Sequence, residues 1–331
     1  MTYTRRDVGK LALAAIPLAK AAATPNSRFN GVQIGVISYS FRPVTDVDEV
    51  IADILKVGIN EVELMSNSVE ASAGAPNAGL PAAARRGPAT APGGGAPARA
   101  PGGARRQITL EEQASADARA AELRKWRLAA SPDIFKAVRR KFDDAGIHLG
   151  LLCFNLRDNN TDDEIEYAFR MAQALGVKGI TTSTTVSMSK RIAPLADKHK
   201  MLVGYHGHDQ TGDPNEFATL ESYATAFSYS KYNGVNLDVG HFTASNYDAV
   251  AFIKEHHARI TNLHIKDRKK DHGPNVPWGQ GDTPLGDILH LLRANKYPFP
   301  ANIELEYPIP EGSSSVAEVA KCVDYCKRVL A

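Results

Sequence analysis

The 331-residue sequence predicts a single-domain α/β fold, a (β/α)8 TIM barrel, from three observations. Short β-branched runs alternate with amphipathic helical stretches, the strand candidates number eight, and several helices hand over to the next strand through a glycine turn: Val57-Gly58-Ile59, Ala145-Gly146-Ile147 and Leu175-Gly176-Val177. Regular alternation implies parallel β/α units, and eight of them close a barrel. A doubly wound open sheet is the rival. It wants a glycine-rich phosphate turn after its first strand, and Ser38-Tyr39-Ser40-Phe41-Arg42-Pro43 is not one.

In chain order, the strands are expected at Val32 to Tyr39, Glu61 to Met65, Ile147 to Phe154, Val177 to Thr182, Met201 to His206, Gly234 to Val239, Ile260 to Ile265 and Ala301 to Glu306. Apolar residues recur with helical period over Thr45 to Val57, Thr161 to Leu175, Pro214 to Ser230, Tyr247 to His257, Pro284 to Asn295 and Ser314 to Leu330. The stretch Leu110 to Asp144 reads as two helices broken near Ser131-Pro132. The barrel is expected over 30–331, interrupted after its second strand by a low-complexity insertion, 67–107. That insertion is mostly Ala, Gly, Pro and Arg without apolar periodicity, which predicts a disordered loop. Arg85, Arg86, Arg99, Arg105 and Arg106 against the single acid Glu70 make it basic.

The N-terminus reads as an address. Arg5-Arg6 precedes a weakly apolar run from Leu11 to Ala19 and the small-residue sites Ala19-Lys20-Ala21 and Ala21-Ala22-Ala23, so 1–23 resembles a twin-arginine export signal with a periplasmic or otherwise exported destination. The apolar run is far shorter than the ~20 residues that span a bilayer, so no membrane partner is expected after cleavage. A net charge of +2 lacks the basic field that phosphate backbones require, so nucleic acid is not expected as a partner. Three cysteines without a CxxC pair exclude a disulfide framework and a thiolate zinc module. Cys322 and Cys326, one turn apart, read as packed hydrophobes.

Of ten histidines, eight lie between His199 and His272. In a parallel barrel all strand C-termini meet at one face, so residues far apart in sequence converge there. The fifth strand ends Tyr205-His206-Gly207-His208-Asp209, the sixth Leu237-Asp238-Val239-Gly240-His241, the seventh Leu263-His264-Ile265-Lys266-Asp267 and the eighth Ile303-Glu304-Leu305-Glu306. One imidazole or carboxylate from each can surround one divalent ion, and His206, Asp238, His264 and Glu304 are the expected ligands. Mixed nitrogen and oxygen donors suit manganese, zinc, cobalt or iron better than calcium.

Leu237 to His241, His264 to Asp267, Pro277-Trp278-Gly279-Gln280-Gly281-Asp282 and Ile303 to Glu306 together resemble the xylose isomerase-like TIM-barrel superfamily of sugar isomerases and epimerases, related to ketose 3-epimerases and inosose dehydratases. The resemblance implies a metal held by Glu, Asp, His and Glu from the last four strands, which places Asp238, His264 and Glu304. His206 stands where many relatives carry Glu, and some members have His there. It further implies an enzyme taking a proton from carbon beside the carbonyl of a small carbohydrate, with an unphosphorylated sugar or derivative favoured outside the cytoplasm. Catalytic candidates are Glu304, Glu306, His208, His241 and Lys266. Substrate contacts are expected from Glu63, His241 and Trp278. A ligating imidazole is a poor base, so one-sided proton abstraction is expected, favouring lyase or dehydratase chemistry over efficient epimerisation unless His208 supplies a second base. An endonuclease IV-type nuclease would need further ligands from early strands. A sugar-binding barrel without catalysis would have lost these ligands.

Overall fold

The computed structural model describes residues 25–76 and 109–331. The stretch read as an export signal, 1–23, and the greater part of the insertion lie outside the described residues.

Eight parallel strands form a closed ring: β1 (Val32–Ile37), β2 (Glu61–Met65), β3 (His148–Cys153), β4 (Gly179–Thr182), β5 (Leu202–His206), β6 (Asn233–Asp238), β7 (Ile260–Ile265) and β8 (Ala301–Ile303). Each pairs in parallel with its sequence neighbours, and β8 returns to β1 through Ala301↔Ile34. Arg28–Phe29 adds an antiparallel ribbon to β1. The ladder of β8 stops at Ile303, three residues short of the expected end. There Ser40 intervenes, donating from Oγ to the Ile303 carbonyl and accepting from the Leu305 N–H, both at 3.0 Å.

The surrounding helices are α1 (Val47–Lys56), α2 (Ser66–Ser72), α3 (Leu110–Ala129), α4 (Pro132–Asp144), α5 (Asp162–Leu175), α6 (Val186–His199), α7 (Leu220–Tyr229), α8 (Val239–Ala244), α9 (Ala249–His256), α10 (Leu285–Asn295) and α11 (Ser315–Leu330). Their starts carry the expected chemistry. Thr161 and Glu164 form a capping box, while Ser131 caps α4 with Pro132 in its first turn. Gly146 and Gly176 take positive φ, 69° and 65°, where the chain leaves a helix for a strand. No described helix is long and apolar enough to cross a membrane.

Two boundaries differ from expectation in ways that matter. Residues 67–72, assigned from sequence to the insertion, are helical, and Glu70 is buried rather than a loop acid. Arg127 of α3 donates to both Glu70 oxygens at 2.7 and 3.1 Å and to Glu164 at 3.0 Å, tying α2 to α3 and α5. A low-complexity composition hid this ion pair because its partners are 57 residues apart. Residues 214–219, expected to begin α7, instead form a loop that runs back toward the barrel mouth and carries Glu216 inside. Cys322 and Cys326 are buried within the core, as expected.

Candidate metal centre and proton-transfer site

Strand register brings the site together. Asp238 at the end of β6 is paired with His264 of β7, His206 ends β5, and Glu304 follows β8. One ligand atom from each of these four residues lies within 4.8 Å of every other, and all four are buried. Gly207 lets the chain between His206 and His208 pass, since a Cβ there would stand 1.9 Å from the Tyr223 hydroxyl.

The donor set fits a divalent ion. His206 Nδ1 is buried with no hydrogen-bond partner among the described residues, a costly state for an imidazole that serves only packing. Burial holds His206 well below its ordinary pKa, assisted by His264, so its ring is neutral and has a lone pair to give. Asp238 divides its oxygens: Oδ1 accepts the His241 N–H at 2.7 Å and caps α8, while Oδ2 points into the cluster.

Behind His264 stands Glu63. It is fully buried, and its Oε2 accepts from the amides of Asn262 at 2.8 Å and Asn302 at 2.9 Å and lies 2.8 Å from His264 Nε2. Its other oxygen accepts from Thr181. Glu63 therefore sits beneath the cluster, not on the cavity surface where a substrate contact was expected. A carboxylate behind a ligating histidine fixes its ring and tautomer, leaving Nδ1 toward the centre, 3.3 Å from Glu304. Although burial opposes it, Glu63 and Glu304 hold His264 well above its ordinary pKa, so an incoming ion must displace a proton. Metal affinity should accordingly rise with pH. Glu63→Gln should weaken it about 10- to 100-fold, measured by chelator competition; an unchanged affinity would reduce Glu63 to barrel filling.

Lys266 is buried among three carboxylates, its Nζ 2.7 Å from Asp238, 2.9 Å from Glu304 and 2.5 Å from Glu306. Despite burial, these acids hold it far above the ordinary lysine range, and it in turn holds Glu304 and Glu306 below theirs. Lys266 makes no ion pair with its chain neighbour Asp267. Asp267 instead accepts the N–H groups of Gly279, Gly281 and Thr283 at 2.8, 2.9 and 3.2 Å, shaping the loop after β7.

A cleft opens above the cluster. Ile37, Tyr39, Met65, Cys153 and Asn155 line its β1–β3 side, and Ser183, His206, His208, Asn236, His241, His264, Glu304 and Glu306 line the rest. His241 presents Nε2 3.9 Å from Glu306, while its Nδ1 faces Arg268 at 2.5 Å and Asp209 at 3.3 Å. His208 bonds Glu216 and Ser183. Trp278 is not among the lining residues and packs edge-on against Tyr325 of α11, with ring centroids 5.5 Å apart. Sequence reasoning named neither Ser183, Glu216, Asn236 nor Arg268. Glu216 sits in a loop whose apolar spacing reads as helix, and the others lie beside, not within, the motif residues.

A closed parallel barrel with imidazoles and carboxylates gathered over its C-terminal mouth defines the (β/α)8 class with a site at that face. The chain belongs to the xylose isomerase-like TIM barrel family, whose sequence profile matches residues 110–326. No curated protein matches it. Among solved structures, it is similar to a D-psicose 3-epimerase with D-tagatose from Clostridium cellulolyticum H10, at 12% identity and TM-score 0.58, covering 90% of this chain and 99% of that one. A sugar phosphate isomerase/epimerase from Parabacteroides distasonis ATCC 8503 shares 16% identity at TM-score 0.55, covering 96% and 99%. An IolI protein with a bound zinc atom shares 14% at TM-score 0.55, covering 90% and 99%. At these identities the likeness is one of fold.

Proposed function

We propose that the protein is a divalent-metal-dependent enzyme of the isomerase and epimerase type, moving a proton on carbon beside the carbonyl of an unphosphorylated sugar or sugar derivative. The observation that carries this reading is the buried cluster of His206, Asp238, His264 and Glu304 at the floor of a cleft whose wall holds a further carboxylate, Glu306. Manganese, zinc, cobalt or iron, held by those four residues, would polarise the substrate oxygen and acidify the adjacent C–H. Glu306, outside the ligand set, takes the carbon proton. Lys266, between Glu304 and Glu306, keeps both carboxylates ionised, and His241 orients a substrate hydroxyl.

The charge balance supports an unphosphorylated substrate. Lys266 is committed to three carboxylates, and Arg268 to Asp209, His241 and the Gly273 carbonyl. Neither is left to receive a phosphate. Among the described residues the β1–β3 wall offers no imidazole or carboxylate for a second metal, which speaks against a multinuclear nuclease. Elimination through the same abstraction is the second reading, favoured by His206 in place of a carboxylate.

Incubating metal-loaded protein with free ketoses, inososes and 3-keto-glycosides in deuterated water tests the reading. Deuterium is expected at the carbon beside the carbonyl, and unsaturated or cleaved product would select elimination; no exchange with any class would overturn both. We also propose export through the Arg5-Arg6 signal. Replacing both by Lys should retain precursor in the cytoplasm, whereas an undiminished exported yield would refute it.

A further inference from the structure

We infer that Asn155 recognises the ring oxygen of the substrate, and that the substrate is a 3-keto-pyranoside bound as a closed ring; the inference deepens, and rests on, the function proposed above. Asn155 follows β3 and is half-buried on the wall of the cleft. Its neighbours fix the amide. Oδ1 accepts the Ser183 N–H at 2.9 Å and the Cys153 thiol at 3.7 Å. A backbone N–H can be met only by the amide oxygen, so the NH2 group is the end left over. No described residue accepts from it.

The chemistry of the wall narrows what can meet that NH2 group. Beside Asn155 on the β1–β3 side stand Ile37, Met65 and Cys153, whose side chains carry no oxygen, and Tyr39, whose ring faces the Arg42 guanidinium at 4.2 Å. Asn155 Nδ2 is a donor set among side chains that accept weakly or not at all. A sugar hydroxyl placed on it would have its oxygen satisfied but its own hydrogen turned against Ile37, Met65 and Cys153, which disfavours it. An ether oxygen only accepts. The ring oxygen of a pyranose therefore fits, and an open-chain ketose has none to offer.

Position across the barrel selects the carbonyl. β3 and β7 lie diametrically opposite in the closed ring of strands, and β7 carries His264 of the cluster. A sugar whose ring oxygen meets Asn155 turns the carbon opposite that oxygen toward the cluster. In a pyranose that carbon is C3. A ketone at C3 lies at the site, and C2 and C4 beside it carry the protons that Glu306 can take. A glycosidic substituent at C1 keeps the ring closed, so that the ring oxygen persists. Asn155 thus reads the part of the substrate that does not react, while the cluster and Glu306 meet the part that does.

Titration calorimetry on manganese-loaded protein tests the inference with methyl 3-keto-β-D-glucopyranoside and its carbocyclic analogue, in which a methylene replaces the ring oxygen. Wild type should bind the glycoside about tenfold more tightly, the worth of one hydrogen bond to an otherwise unpaired donor. Asn155→Asp keeps an oxygen for the Ser183 N–H and removes the donor, so it should retain metal and abolish the preference. Comparing two ligands within one protein cancels any general effect of the added charge. Equal binding of both ligands by wild type would overturn the inference without any variant, as would binding of neither or a preference kept in Asn155→Asp. Exchange in deuterated water separates it from the proposed function. Deuterium should enter C2 or C4 of the glycoside faster than it enters any open-chain ketose, and exchange confined to open-chain ketoses would overturn the inference while leaving that function standing. The tenfold preference in a protein that exchanges nothing would instead strike the function and keep Asn155 as the residue that reads the ring.

Discussion

Asp238→Ala is expected to strip the protein of stoichiometric metal and to lower proton exchange about 1,000-fold, the equivalent of ~4 kcal/mol of lost charge stabilisation. The effect is large because Asp238 serves two structures at once. Its Oδ1 caps α8 through the His241 N–H, and its Oδ2 faces the cluster beside Lys266. Loss of a cap alone costs ~1 kcal/mol. Asp238→Asn separates the roles, since an amide oxygen still caps the helix but brings no charge to the metal. Elemental analysis of both variants after loading should show metal lost in the alanine variant and weakened in the asparagine variant. Full occupancy in Asp238→Ala would remove Asp238 from the centre.

Lys266→Met should be the most destabilising substitution at the site in metal-free protein. It leaves Asp238, Glu304 and Glu306 buried together without their shared cation, and breaking such an assembly costs ~3–5 kcal/mol. The deficit has a pH signature. Lys266 lowers the pKa of Glu304 and Glu306 in the folded protein, so its contribution is present above the ordinary glutamate range and fades as pH falls through the lowered values. Chemical denaturation should therefore show a deficit that is full at neutral pH and shrinks in acid. Saturating manganese should recover part of it at neutral pH, because the ion binds the folded state and supplies positive charge to the same acids. A deficit independent of both pH and metal would mean that Lys266 stabilises by packing alone.

The parts legible in the sequence are those that repeat with the backbone. Strand C-termini converge in any parallel barrel, so His206, Asp238, His264 and Glu304 can be picked by their place at the end of a β-branched run, and the structure gathers those four. Side-chain direction beyond the strand is not encoded that way. Glu63 belongs to β2 yet hydrogen-bonds Asn262 of β7 and Asn302 of β8 across the barrel interior, a contact over 199 and 239 residues. Trp278 lies in a motif at the mouth, but the Asp267 anchor turns its loop so that the indole meets α11. Glu216 reaches His208 from a loop read as helix, because the apolar residues before Leu220 mimic helical spacing while Thr219 supplies the actual cap. Helix α6 escaped notice for a local reason: Pro194 interrupts it, and it ends on Lys200 in the left-handed region, where a glycine would have announced the stop.

Four side chains at the ends of β5 to β8 are proposed to hold one divalent metal at the floor of the cleft. Electron–nuclear double resonance on manganese-loaded protein with ¹⁵N-labelled histidine tests it most directly, because it reads the ligands themselves. Two coupled histidine nitrogens are expected in the wild type, falling to one in His206→Ala and, in any His264→Ala protein that still retains manganese, to one there as well. A manganese signal without nitrogen coupling, or couplings unchanged in both variants, would place the metal elsewhere and contradict it.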